Sequence, residues 1–133
     1  MKNFFISLVI VSTAAMLSFK SNYSSAMEEK DYADCIKKYN SAWGENCPDC
    51  KSGKDSYKAF FRNECGENID VMICAQETDK SWKKFMWADM HPKDTMIAYA
   101  CIGTGKVKKW AKKAGDKSTT FPTIEEVNAL YKE

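Results

Sequence analysis

Hydrophobic and polar residues alternate through much of the middle of the chain. Between residues 69 and 76, apolar side chains occupy every second position, and the intervening positions include Asp70 and Gln76. An alternation with a period of two residues predicts a β-strand that buries one face. Similar segments, separated by turn-forming residues, predict five strands at residues 57–62, 69–76, 82–88, 95–102 and 106–112.

Two further segments have the spacing of helices. Apolar residues recur at steps of three and four within residues 28–43, and Gly44 follows as a helix-terminating residue. This pattern predicts a helix over residues 28–43. Near the end of the chain, Thr123 and Glu126 have the spacing of a capping box, which predicts a short helix over residues 124–131.

Together these elements predict an α+β fold that is mainly β. We expect a five-stranded antiparallel sheet over residues 57–112, arranged as a meander or a small sandwich, with one helix before it and a short helix after it. The segment 82–88 is apolar on both faces, and this pattern is typical of an interior strand. We therefore place that segment inside the predicted sheet.

The start of the chain has the pattern of a secretory signal peptide. A basic residue is followed by an almost continuous run of apolar and small residues at 4–17, shorter than the roughly 20 residues of a membrane span. Ser24 and Ala26 are small residues that fit a cleavage site after Ala26. We expect a signal peptide at residues 1–26 and a single disulfide-rich domain at residues 27–133, secreted or periplasmic. An uncleaved N-terminal anchor is the alternative.

Cleavage of this leader changes the charge balance of the protein. The full chain has 20 basic and 18 acidic residues. Lys2 and Lys20 would leave with the leader, so the remaining domain has 18 residues of each sign. Overall charge therefore favours neither an anionic nor a cationic partner, and an electrostatic role requires local clustering of charges.

Six cysteines follow the predicted cleavage site, and in an exported protein an even number of cysteines predicts disulfide bonds. We expect all six to be bonded: Cys35, Cys47, Cys50, Cys65, Cys74 and Cys101. Such bonds stabilise a small domain mainly by restricting its unfolded chain.

The positions of the cysteines on the predicted strands and helix are the only basis for ranking the possible disulfide pairings. Cys65 and Cys101 bracket the sheet, so a bond between them is expected. Cys35, on the predicted helix, is expected to bond to one member of the Cys47–Cys50 pair. The other member would then bond to Cys74. A bond within the Cys47–Cys50 pair would overturn the last two assignments.

The segment Cys47-Pro48-Asp49-Cys50 is a CxxC motif, which can cycle between dithiol and disulfide. An active motif of this kind normally starts a helix within a βαβ unit, because the helix N-terminus lowers the pKa of the first thiol. Here Gly53 follows closely and no βαβ pattern is visible. Two structural cysteines that bond to different partners are the favoured interpretation, and a thiol-disulfide oxidoreductase is the alternative.

The last predicted strand carries the main candidate binding surface. If Gly103–Gly105 forms a hairpin loop, one face of this strand lies opposite the small residues Ala98 and Ala100. We name that face the Lys/Trp strip, and its residues are Lys106, Lys108, Trp110 and Lys112.

The Lys/Trp strip has a functional and a structural interpretation. Lysines around an exposed tryptophan can bind an anionic glycan or another polyanion through charge and stacking. However, lysines on an edge strand also prevent aggregation between sheet edges, and Trp110 can instead cover the alanines or pack against the C-terminal helix.

No catalytic group, metal site or cofactor is predicted. His91 is the only histidine and has no evident nucleophile beside it, and a single CxxC motif does not provide four zinc ligands. We therefore expect a small secreted, non-enzymatic binding or interaction protein that contacts an anionic partner through the Lys/Trp strip. A thiol-disulfide oxidoreductase and a structural or accessory protein without its own ligand are the alternatives.

Overall fold

A computed structural model of the protein describes residues 30–133, so the predicted signal peptide lies outside the described residues. The described part begins with a short 3-10 helix, Tyr32–Cys35. It continues with six strands and one α-helix: β1 Ile36–Trp43, β2 Tyr57–Asn63, β3 Ile69–Glu77, β4 Trp82–Met90, β5 Thr95–Ala100, β6 Gly103–Lys113 and α1 Ile124–Leu130.

The strands of residues 30–133 form two three-stranded antiparallel sheets. The first has the order β1-β2-β5 and the second has the order β4-β3-β6. Their facing side chains form one core, in which Phe61 and Ala98 from the first sheet pack with Val71 and Ile73 from the second. The mainly β, disulfide-bonded fold is confirmed, whereas the single five-stranded sheet is wrong.

The predicted helix at 28–43 is also wrong. Within the described residues, this region is the short 3-10 helix followed by β1. Along β1, Ile36 is fully buried but most of the following side chains are exposed, because β1 lies at the edge of its sheet. The register with β2 also shifts between Lys38 and Asn40. An exposed edge strand with a bulge lacks the two-residue alternation that identifies a strand in a sequence.

The segment predicted as an interior strand, 82–88, belongs to β4, which is an edge strand. Near its start β4 packs on both faces, each against a different layer, whereas Met86 and Trp87 are exposed. Phe85 contacts the core between the sheets, whereas Trp82 is buried with Val127 of α1 on the opposite face of the second sheet. Residues 30–133 therefore form three layers, namely two sheets and a short helix, and β3 is the interior strand of the second sheet.

The predicted hairpin between residues 95–102 and 106–112 does not form. The chain instead crosses from the first sheet to the second after β5, and β6 pairs with β3. The Glu77 carboxylate accepts hydrogen bonds from the main-chain N–H groups of Cys101 and Ile102, both at 2.8 Å. A β-carbon on Gly103 would lie 2.5 Å from Cβ of Tyr57, so this close crossing requires glycine.

The C-terminal helix α1 is confirmed, and it begins as its sequence predicts. Thr123 is the N-cap, and its hydroxyl accepts a hydrogen bond from the N–H of Glu126 at 3.2 Å. The Glu126 carboxylate in turn accepts one from the N–H of Thr123 at 2.8 Å. This capping box satisfies two N–H groups at the helix start. Within residues 30–133, no helix is long and apolar enough to cross a membrane.

Two disulfides are present in the described chain, Cys35–Cys65 and Cys50–Cys101. The expected Cys65–Cys101 bond is wrong, because these cysteines lie at opposite ends of β2. Tyr57 pairs with Ala100 at one end of this strand, and the turn that holds Cys65 follows the other end. The expected bonds from Cys35 to the CxxC motif and from that motif to Cys74 are also wrong.

The expectation that all six cysteines are bonded is corrected for Cys47 and Cys74, which are buried free thiols. Cys74 lies in the middle strand of the second sheet and packs with Met72, Trp82 and Val127 on the face that α1 covers. Burial raises the pKa of the Cys74 thiol to about 11, against a weaker opposing effect of Lys84. This thiol therefore stays protonated and unreactive near neutral pH.

Candidate functional site

The Lys/Trp strip lies on the outer face of the second sheet. Lys108, Trp110 and Lys112 on β6 lie opposite Cys74, Met72 and Asp70 of β3, respectively. This is the face that α1 covers, so the strip faces the C-terminal segment and not the alanines of β5. The two-residue alternation therefore placed the four residues on one face of the strand. The strand next to them and the layer that covers them differ from the prediction.

Trp110 and Lys112 hold the C-terminal segment against the sheet. The ring centroids of Trp110 and Tyr131 are 6.3 Å apart, and Trp110 packs against the cluster that includes buried Val127. The Lys112 ammonium donates hydrogen bonds to the main-chain oxygens of Asp116 and Thr119. Packing of Trp110 against the C-terminal helix, the structural interpretation of the strip, accounts for these contacts.

Trp110→Ala is therefore expected to lower the free energy of unfolding by about 2 kcal/mol, because it removes a half-buried aromatic ring beneath the C-terminal segment. Trp87→Ala is the matched control, since Trp87 on the edge strand β4 is 41% exposed and lies outside both buried clusters. Urea denaturation monitored by circular dichroism measures both changes. Equal destabilisation by the two substitutions would contradict the packing role of Trp110.

Lys106 and Lys108 occupy a different environment, at a cavity beside α1. The cavity has a volume of about 460 Å³, and its walls include Trp82, Leu130 and Tyr131. The Lys108 ammonium lies 4.4 Å from the centroid of the Tyr131 ring. The Lys106 ammonium donates a hydrogen bond to the main-chain oxygen of Glu133 at 3.0 Å. Two cations and an apolar wall therefore lie next to one open space.

In the described part of the chain, no lysine of β6 forms an ion pair within 4 Å of a side-chain carboxylate. All ion pairs within residues 30–133 involve other cationic side chains, and none joins a carboxylate to a lysine of β6. The lysines concerned are Lys106, Lys108, Lys109, Lys112 and Lys113. Lys109 differs from the rest because it donates to the main-chain oxygen of Ile36, and burial lowers its pKa. Lys112 lies opposite Asp70 in the pairing of β6 with β3, so the local positive charge is concentrated at Lys106 and Lys108.

The CxxC motif lies in the loop between β1 and β2, and no helix follows it. Cys50 is bonded to Cys101, while the Cys47 thiol donates a weak hydrogen bond to the main-chain oxygen of Glu45, with a sulfur-to-oxygen distance of 3.6 Å. The arrangement lacks the helix N-terminus that activates the first cysteine of a thioredoxin-like motif.

His91 lies between two carboxylates in the exposed turn after β4. Its ring nitrogens are 3.7 Å from an oxygen of Asp89 and 3.6 Å from an oxygen of Asp94. Within residues 30–133, no group of three or more potential ligands is placed to hold a metal ion.

Sequence reasoning did not identify the cavity walls as part of a site. Trp82 belongs to the segment predicted as an interior strand, and Leu130 and Tyr131 belong to the predicted short helix at 124–131. Leu130 is 71% exposed, and the sequence pattern of this helix does not show which of its apolar residues are exposed. No family model, curated protein or solved structure matches the chain.

Proposed function

We propose that the protein is an exported, non-enzymatic binding protein that contacts an anionic partner through Lys106 and Lys108. The observation that carries this function is that Lys106 and Lys108 line the cavity beside α1 and that neither has a side-chain carboxylate within 4 Å among the described residues. Export is supported by the signal-peptide pattern of residues 1–26 and by two disulfides, which persist in oxidising compartments.

The spacing of the lysines favours a partner with repeated negative charges. Alternate residues on a strand lie about 6.8 Å apart on one face, so Lys106 and Lys108 present two positive charges along a line. Leu130 is 71% exposed and Tyr131 is partly exposed, and together they add an apolar surface on which a sugar ring can pack. An acidic glycan provides both features, with carboxylate or sulfate groups on a chain of rings.

The test is retention on a heparin matrix, measured as the salt concentration of elution. Lys106→Glu with Lys108→Glu is expected to weaken binding roughly thirtyfold, since each exposed ion pair contributes up to about 1 kcal/mol. The matched control is Lys51→Glu with Lys54→Glu, which changes the net charge equally on the exposed loop between β1 and β2. Circular dichroism verifies that both variants are folded.

The control variant is expected to elute close to the wild-type protein. An equal loss of retention in both variants would show that overall charge, and not the cavity, controls binding. If the wild-type protein is not retained even at low salt, polyanion binding is excluded and a structural or accessory role remains.

A further inference from the structure

Cys50 is bonded to one cysteine and shares a tight turn with another. It is bonded to Cys101, with a Cα–Cα distance of 5.2 Å. Its main-chain N–H also donates to the carbonyl oxygen of Cys47 at 3.3 Å, which closes a four-residue β-turn, and Asp49 has the positive φ of 62° that a type II turn requires. The first and fourth Cα atoms of such a turn lie within about 7 Å, close to the span of a disulfide at about 4.4–6.8 Å.

Cys47 and Cys101 differ in their access to solvent. Cys47, on the Cys50 side, is only 9% exposed and its sulfur carries no disulfide. Cys101 lines an open cleft of about 260 Å³ whose walls include Lys51 and Ile102. If the Cys50–Cys101 bond breaks, the Cys101 sulfur is therefore released at the open cleft.

We propose that Cys47, Cys50 and Cys101 form an internal thiol–disulfide exchange site. The Cys47 thiolate attacks Sγ of Cys50, the Cys50–Cys101 bond breaks, and a Cys47–Cys50 bond forms. The electron pair of the broken bond leaves with Cys101, whose sulfur takes up a proton as the Cys47 thiol has lost one. One disulfide and one thiol exist before and after the step, so no external oxidant or reductant is needed.

The exchange changes how the loop between β1 and β2 is attached. Cys50–Cys101 joins residues 51 positions apart in the chain, whereas a Cys47–Cys50 bond remains within one turn. The end of the loop stays in place, because the N–H of Gly103 donates to the carbonyl oxygen of Asp55 and that of Gly44 donates to Ser56. The part around Lys51 is released, and the Cys101 thiol becomes available in the cleft for reaction with a disulfide or an electrophile. This chemistry is independent of the lysine cavity.

The test is alkylation of the folded, non-reduced protein with iodoacetamide at mildly alkaline pH, followed by peptide mapping. In the wild-type protein we expect label to accumulate on Cys101 as well as on Cys47, because alkylation traps the Cys101 thiol each time the exchange occurs. In Cys47→Ser we expect labelling of Cys101 to fall at least tenfold. Cys74→Ser is the control and should leave the labelling of Cys101 unchanged.

Two further measurements separate the internal step from other causes. The rate of Cys101 labelling should not change when the protein is diluted tenfold, whereas exchange between molecules would slow in proportion. In Cys101→Ser oxidised with glutathione disulfide, Cys50 should be recovered bonded to Cys47. The inference is overturned if Cys101 stays unlabelled while Cys47 reacts, if Cys101 labels equally in Cys47→Ser, or if Cys50 and Cys47 do not bond in Cys101→Ser.

Discussion

Phe61→Ala is expected to lower the free energy of unfolding by about 4 kcal/mol, the largest effect of any single substitution considered for this protein. Phe61 is 1% exposed and lies on β2, the central strand of the first sheet. Its ring fills the space between the two sheets, where the neighbouring strands cannot collapse into the cavity that alanine would leave. Phenylalanine-to-alanine changes in such cores cost about 3–5 kcal/mol.

Phe60→Ala is the matched control for this prediction, because it removes the same side chain from the neighbouring position on the same strand. Phe60 points to the opposite face of β2, is only half-buried, and packs against Tyr39 with ring centroids 6.2 Å apart. We expect it to cost less than half as much as Phe61→Ala in urea denaturation. Similar losses for both variants would mean that β2 does not lie between a packed core and an open face.

The expected loss of stability from Phe61→Ala is large compared with the total stability of the protein. A domain of this size has a total stability of about 5–15 kcal/mol, so 4 kcal/mol removes a large share of it. The midpoint of urea denaturation should therefore move markedly, while its slope should stay close to that of the wild-type protein.

Removal of the Cys35–Cys65 disulfide is expected to cost about 3–4 kcal/mol. The double variant Cys35→Ala with Cys65→Ala opens a covalent loop between residues 30 positions apart, and a loop of this length restricts the unfolded chain by roughly that free energy. The bond also joins the start of β1 to the turn after β2. Because most side chains of β1 are exposed, few apolar contacts hold the strand when this bond is absent.

The control is Cys47→Ala with Cys74→Ala, which removes two buried cysteine side chains without breaking a disulfide. We expect this variant to lose less than half as much stability. Hydrogen exchange provides a local readout, because the main-chain N–H groups of β1 should exchange faster in the Cys35→Ala with Cys65→Ala variant than those of β3. Equal stability of the two double variants would contradict a stabilising role of the cross-link.

Much of the secondary structure after residue 56 could be predicted from the sequence. β2, β3 and α1 have nearly the predicted bounds, since β2 and β3 bury one or both faces and α1 has its capping box. β1 could not be predicted, because a strand at a sheet edge with exposed side chains leaves no periodic record of burial. Its apolar residues recur at steps of three and four, and this spacing alone does not distinguish a helix from an exposed edge strand.

Of the candidate site, only the lysines could be predicted from the sequence. Alternation places Lys106 and Lys108 on one face of a strand, and this statement depends only on local geometry. The cavity beside them depends on α1, which begins at Ile124, 16 positions after Lys108 in the chain. Whether Trp110 is an exposed ligand-binding ring or a packed one was decided by Tyr131 and Val127, and no property of β6 itself indicates their position.

The sequence by itself determined which segments from residue 57 onward are extended, where the last helix begins, and which side chains share a strand face. These properties follow from backbone geometry and from hydrogen bonds between neighbouring residues. Only the tertiary structure decided that the strands divide into two facing sheets and that Cys50 bonds to Cys101 and not to Cys35 or Cys74. Such choices depend on the free energy of contacts between residues far apart in the chain, which no local pattern of hydrophobic and polar positions records.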